Sequence, residues 1–219
     1  MLLQPISGLF TLCLCLSLYS CAQKNNHPVQ SKIAAMNEHH QTDTITLGGG
    51  CFWCTEAIYQ RLKGVVSVTS GYSGGKIANP TYKEVCSGLT GHAECTQIVF
   101  DPSQVSLSEI LEVFFKTHDP TTLNRQGNDV GSQYRSVIFY NSKTQKKTAE
   151  EIKSGLDQSG AFHDPIVTEI VPLSTFYKAE DYHQNYFNQN KNSNSYCSIV
   201  IVPKIEKFEK YFKDKLKSQ

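Results

Sequence analysis

A strand-like run, Thr44-Ile45-Thr46-Leu47, breaks at Gly49-Gly50 and passes directly into Cys51-Phe52-Trp53-Cys54-Thr55-Glu56, which opens a helical pattern. A strand that turns at glycine into a helix commits the chain to a layered arrangement of sheet and helix. A cysteine at the first turn of a helix sits among unpaired backbone N–H groups, at the positive end of the dipole, where an anion is favoured. A thiol so placed is expected to titrate below its ordinary value of about 8.5 and to be a thiolate at neutral pH. The glycines are expected to let backbone and substrate approach that sulfur closely. Phe52 and Trp53 are bulky and apolar for a helix start and read as the wall of an apolar pocket. Cys54 puts a second thiol beside the first.

The rest of the chain alternates strand and helix signals. Gly64 suits a C-cap, Val65-Val66-Ser67-Val68-Thr69-Ser70 a strand, and the glycine and Asn79-Pro80 turns that follow a long loop. Gln97-Ile98-Val99-Phe100 is a strand ended by Asp101-Pro102. Ser106-Leu107-Ser108-Glu109 is a capping box, opening a helix with Leu107, Ile110, Leu111 and Phe114 on one face that stops before Asp119-Pro120. Residues 123–133 read as a polar loop and Ser136-Val137-Ile138-Phe139-Tyr140 as a strand. Ser142 starts a charged helix ending near Gly160, residues 166–171 form a strand, and residues 179–189 are helical or irregular. Pro203 suits the first turn of a Lys-rich helix carrying Ile205, Phe208, Phe212 and Leu216 at helical spacing. This order, without internal repeat, predicts an α/β or α+β layered domain. Its loops at 71–96 and 120–135 are long for connectors, and such loops tend to carry function.

The 219 residues are enough for one ordinary domain, and 11% aromatic residues argue for a real core. A net charge of +1 supplies no general pull toward nucleic acid or anionic membrane. Residues 9–18 form an apolar run of signal-peptide length, too short to span a bilayer well. With Leu18-Tyr19-Ser20-Cys21 behind it, the segment resembles a bacterial lipoprotein signal in which Cys21 becomes the lipidated first residue. The alternative is an ordinary cleaved signal with an incidental cysteine. The expected organisation is a signal at 1–21, a polar tether at 22–43 and one catalytic domain at 44–219, exported to the bacterial cell envelope (periplasm) and anchored by its lipid. Of the eight cysteines, five lie beyond the signal: Cys51, Cys54, Cys86, Cys95 and Cys197. An odd number outside the cytoplasm argues for at least one reactive thiol rather than a purely structural disulfide framework.

Five motifs occur in order. They are Gly50-Cys51-Phe52-Trp53, Gly71-Tyr72-Ser73-Gly74-Gly75, Asn79-Pro80-Thr81-Tyr82, Gly91-His92-Ala93-Glu94, and the run from Gln126-Gly127-Asn128-Asp129 to Gln133-Tyr134-Arg135. Together, from about Ile45 to Cys197, they resemble the A-type peptide methionine sulfoxide reductases. The resemblance implies a two-layer α/β sandwich related to the ferredoxin-like plait, with a mixed sheet and flanking helices. It implies reduction of methionine S-sulfoxide, free or in oxidised proteins, by a monomer with no bound cofactor and no metal, recycled by a thioredoxin-like protein or another dithiol.

The chemistry needs a sulfur nucleophile, an acid for the departing oxygen and an apolar seat for the methyl group. Cys51 is the expected nucleophile and Glu94 the expected acid, if its carboxyl is held protonated. Tyr82 and Tyr134 would hold the sulfoxide oxygen, Phe52 and Trp53 would form the methyl pocket, and Asp129 would accept from the substrate backbone. The sulfenic acid left on Cys51 would condense with a second thiol. Cys54 stands where many relatives carry glycine. Cys197 lies where the family often keeps a resolving cysteine, behind a polar run that looks able to swing. Either could resolve first, or the two could act as a relay, and no counterpart of the family's more distal cysteine follows. Cys86 and Cys95 are expected to be buried bystanders. His92, His118 and His183 invite a metal reading, but the cysteine spacing suits no compact zinc site. Two rival functions share these features: a general disulfide oxidoreductase using Cys51 and Cys54, and a redox sensor that binds oxidised methionine without turnover.

Overall fold

The computed structural model describes residues 41–218. The expected signal, Cys21 and residues 22–40 of the tether lie outside the described residues. A six-stranded mixed sheet forms the centre, in the order β7-β6-β1-β3-β2-β8. These strands are β1 (Asp43–Gly49), β2 (Val65–Ser73), β3 (Ala93–Phe100), β6 (Ser136–Tyr140), β7 (Glu169–Pro172) and β8 (Tyr177–Lys178), with a hairpin of β4 (Arg125–Gln126) and β5 (Asp129–Val130) standing apart. Neighbouring strands run antiparallel except β6 and β7, which are parallel.

The helices are α1 (Phe52–Tyr59), α2 (Tyr82–Cys86), α3 (Leu107–Thr117), α4 (Lys143–Ser159), α5 (Tyr186–Asn190) and α6 (Val202–Tyr211). Strand parity decides what the long helices cover. Ile45 and Leu47 of β1, Ile98 and Phe100 of β3 and Ile138 of β6 share one apolar cluster with Ile58, Ile110, Leu111, Phe114, Ala149 and Phe208 of the helices. Ala93, Cys95, Val137 and Phe139 point to the other face and pack under Val171, Leu173 and Phe176. The expected mixed sheet with flanking helices is therefore the architecture found.

Local signals hold where they are self-contained. Ser106 and Glu109 close a reciprocal capping box on α3, and Ser142 and a left-handed Gly160 bound α4. Elements that depend on partners differ. β2 runs on to Ser73 and β3 begins at Ala93, so the two ends of the expected loop at 71–96 are paired sheet, with Tyr72 opposite Glu94. The polar segment at 123–133 contains the β4–β5 hairpin. The last helix stops at Tyr211, short of Leu216, because the chain end turns back on residues 61–63. Lys63 N–H donates to Lys215 O and Lys217 N–H to Arg61 O, which places Leu216 against Leu62.

The glycines before Cys51 sit in the protein's own close packing. Gly50 has φ +94°, and a Cβ there would lie 2.6 Å from the Gln126 side chain. Gln126 cannot give way easily, because its amide accepts from Asp119 N–H and donates to Asp119 O, both at 3.0 Å. Gly50→Ala is accordingly expected to cost roughly 1–3 kcal/mol through backbone strain and overpacking. Urea unfolding under reducing conditions measures it, and an unchanged midpoint would show that the hairpin yields.

Candidate active site

Cys51 is the N-cap residue of α1. From that position Phe52 N–H, the first of the helix, donates to Glu94 Oε2 across to β3 at 3.1 Å. One hydrogen bond thus joins the helix start to the strand and sets the sulfur beside a carboxyl. Glu94 is 1% exposed, and its Oε1 has no partner among the described residues. Burial pushes its carboxyl up to about 8, against the pull of the Phe52 N–H and with help from the charges of Asp129 and Cys54. Glu94 is therefore mostly protonated at neutral pH.

Tyr82 stands on the first turn of α2, whose own capping box joins Thr81 and Glu84. Tyr134 ends a short 3-10 turn, Ser132–Tyr134. Both hydroxyls titrate well above their ordinary value, through burial first and then through the charge of Glu94. The charge of Glu94 reaches both hydroxyls, and that of Cys51 reaches Tyr134 as well. The Cys86 sulfur, on the same short helix, also helps raise Tyr82. Cys86 itself is exposed, contrary to the expectation that it is buried.

The apolar side of the site is aromatic. Phe52 has Tyr72, Tyr82, Trp53 and His183 around it, with ring centroids 5.2–6.2 Å away. Trp53 stacks on Tyr186 at 3.7 Å and 7°. Asp129, at the start of β5, accepts from Tyr196 Oη at 2.6 Å. The residue expected to bind substrate is thus already bonded to the residue preceding Cys197.

Cys51, Cys54 and Cys197 lie in one buried cluster with Ala57, Phe187, Ile201 and Ile205, and all three are free thiols. Cys197 is wholly buried at the head of a π-helical turn, Cys197–Ile201, and not on the open segment its polar neighbours suggested. Cys95, fixed by strand parity on the opposite face of the sheet, belongs to another cluster. The thiol state departs from the expectation of a lowered Cys51. Burial pushes Cys51 up, and the hydrogen bond it makes to Cys54 and the charges of Cys54 and Glu94 push it the same way. The helix-start N–H of Trp53 pulls down but does not outweigh them. Cys54 is lowered, chiefly by that hydrogen bond from Cys51 and also by Lys204.

Several supporting residues carried no sequence signal of their own. Glu180 accepts from Tyr72 Oη and from Tyr82 N–H, both at 2.9 Å. Glu56 accepts from Asn185 N–H and Tyr186 N–H at 2.8 and 3.2 Å, holding α5 against α1. Tyr196, next to Cys197, could have been flagged only by adjacency. The three histidines considered for metal are otherwise engaged. His92 bonds Gly75 N–H and Ile77 O, His118 bonds Phe114 O and Ser136 Oγ, and His183 accepts from Trp53.

Known proteins resemble this chain in sequence and fold. The family model described as peptide methionine sulfoxide reductase matches residues 43–216. The chain is 58% identical over 173 residues to peptide methionine sulfoxide reductase MsrA of Sulfolobus acidocaldarius, covering 79% of this chain and 97% of that protein. It is 56% identical to MsrA of Trichodesmium erythraeum, covering 80% and 98%. Among solved structures, reduced Mxr1 of Saccharomyces cerevisiae aligns with a TM-score of 0.65 at 36% identity, over 72% of this chain and 90% of that one. Methionine sulfoxide reductase A of Corynebacterium diphtheriae aligns at 0.63 and 38% identity, over 70% and 77%. With a family match over nearly all its described residues and relatives above half identity, the chain belongs to the peptide methionine sulfoxide reductase family.

Proposed function

We propose that the protein reduces the S epimer of methionine sulfoxide, free and in oxidised proteins, with Cys51 as nucleophile and Glu94 as acid. The observation that carries this reading is the buried Glu94 carboxyl, pushed up to about 8, with Oε1 unpartnered and a charge that reaches Cys51, Tyr82 and Tyr134. A protonated carboxyl and two hydroxyls suit a strongly polarised sulfoxide oxygen, which accepts hydrogen bonds. Donation to that oxygen draws electrons from the substrate sulfur and favours attack on it. Phe52 and Trp53 seat the methyl group, and Asp129 exchanges its bond with Tyr196 for one to the substrate backbone.

The electron count is simple. The sulfoxide and the Cys51 thiol become a thioether and a Cys51 sulfenic acid, so the substrate gains two electrons and Cys51 loses two. Cys54, in the same buried cluster, takes up the proton in its thiolate form as Cys51 attacks. Its sulfur then displaces water from the sulfenic acid to form a Cys51–Cys54 disulfide. Cys197 shares their cluster and feels the charge of Cys54, which supports it as the second thiol of a relay. A thioredoxin-like dithiol completes the cycle. The leader pattern supports export and lipidation at Cys21, which would place the reaction and its reductant in the cell envelope.

Purified protein with excess dithiothreitol and racemic methionine sulfoxide is expected to consume the S epimer alone and yield equal methionine, followed by chiral chromatography. Cys51→Ser is expected to yield none. Loss of neither epimer by folded protein with Cys51 free would sink the reading in favour of disulfide exchange or binding.

The Glu94 proton gives two linked expectations. The acid is present below about 8 and lost above it, so kcat/KM is expected to fall as pH rises through that value. Because the folded carboxyl titrates above its ordinary 4.5, its contribution to stability is lost as pH rises from 4.5 to about 8. Glu94→Gln should therefore gain stability relative to the parent across that window, while losing activity. A stability difference flat in pH would mean that Glu94 is ionised throughout.

The relay is tested by a single turnover without reductant, followed by peptide mapping. The parent should hold a Cys54–Cys197 disulfide with Cys51 free, and Cys54→Ser should form its first disulfide more slowly. A Cys51–Cys197 bridge formed at the parent rate in Cys54→Ser would exclude the relay.

A further inference from the structure

Trp53 is the chain's single tryptophan. Tyr186 stacks flat on its indole, and Tyr196 meets it edge-on at 6.0 Å. Such ring contacts let an indole slide and turn in its own plane. Its directional contact is the Nε1–H, which donates to His183 Nδ1 at 3.2 Å. The indole N–H can only donate, so Nδ1 must be the unprotonated ring nitrogen and the hydrogen sits on Nε2.

His183 is itself closely held. It closes the 3-10 turn Asp181–His183, with its N–H donating to Glu180 O at 2.9 Å. Glu180 is bonded to Tyr72 and Tyr82. Gln184, the next residue, accepts from Ser70 N–H and donates to Ser70 O and Ala179 O. The residues on both sides of His183, Glu180 and Gln184, are thus tied to β2 through their side chains. His183 is 2% exposed, and its imidazole packs against Tyr82 and Tyr182, with centroids at 4.3 and 4.1 Å, and Phe52 at 5.2 Å. Burial holds it below its ordinary titration range, against the pull of Glu180, which keeps Nδ1 free to accept.

We propose that His183 is a positioning residue for the reaction: its Nδ1 fixes the indole of Trp53 as the wall against which the substrate methyl group is seated. The proposal rests on the assignment of Trp53 to that seat. A wall locked in its plane admits a methyl group and excludes a longer alkyl group. A wall free to turn loses that discrimination and weakens binding without altering the acid or the nucleophile. His183 therefore acts on KM and on substrate choice rather than on proton supply.

Two variants of the full-length protein separate the acceptor from the ring. His183→Asn keeps an acceptor oxygen on the branch that carries Nδ1, and His183→Phe keeps a ring without an acceptor. Trp53 reports on itself by fluorescence, with no second tryptophan to correct for. Methionine sulfoxide and ethionine sulfoxide are compared as substrates with dithiothreitol. The parent is expected to prefer the methyl compound, and His183→Phe to lose roughly tenfold of that preference, the scale of one methylene in a pocket. It should also raise KM more than it lowers kcat and shift the Trp53 emission, while His183→Asn restores most of the preference. Unchanged emission in His183→Phe overturns the hydrogen bond. Shifted emission with unchanged preference and KM overturns the role of His183 and locates the fault in the assignment of Trp53 to the pocket. Equal damage in both variants overturns the acceptor in favour of ring packing alone.

Discussion

The bond from Phe52 N–H to Glu94 Oε2 fixes the geometry on which the rest depends. A helix start always offers N–H groups without intrahelical partners. Here one of them is satisfied by a side chain from the middle of the sheet. The bond requires Glu94 to face the helix layer, which β3 achieves by parity with Thr96, Ile98 and Phe100. A slip of one residue in β3 would send Cys95 to that place and Glu94 under Phe176. Both neighbours of β3 hold the register, with Leu47 opposite Thr96 on β1 and Tyr72 opposite Glu94 on β2. The sheet is thus what keeps the Glu94 carboxyl at the Cys51 end of the helix.

The same burial that raises Glu94 also raises Cys51. A nucleophile protonated at rest is slow toward adventitious oxidants, since the thiolate is the reactive form. Its proton lies on a hydrogen bond to Cys54, whose own titration is lowered. In the reaction proposed above, activation is a transfer between two sulfurs inside one buried cluster. An ionised Glu94 would oppose it, because a second negative charge in a dry pocket costs far more than one in water. The protonated acid and the transferable thiol proton are therefore one electrostatic arrangement.

Much of this is legible in the residues and part is not. The glycine turn into Cys51, the Ser106–Glu109 box and the Ser142 and Gly160 ends of α4 are local, and local rules find them. The start of β3 hides because Glu94 and Thr96 are polar yet buried, so hydrophobic alternation does not mark them. Leu216 continues a helical spacing that the chain abandons, because pairing with residues 61–63 offers its backbone partners. The titration of Cys51 follows from burial and from Cys54, which are tertiary facts. The roles of Glu56, Glu180 and His183 are equally tertiary: each is an isolated polar residue until the segment after β8 folds back over α1.

That segment is held in a manner unlike the helix layer. The helices bury aliphatic and aromatic side chains in one continuous cluster. Residues 177–196 add a series of discrete polar ties: Glu180 to Tyr72 and Tyr82, Gln184 to Ser70, Glu56 to the backbone at 185 and 186, and Tyr196 to Asp129. Each such bond contributes about 1 kcal/mol net, so any one can be exchanged at small cost without unseating the core. The proposed thiol relay needs that property. In it Cys197 would leave a wholly buried position, which would be prohibitive if apolar packing alone held the whole segment and is accessible when single hydrogen bonds can yield in turn.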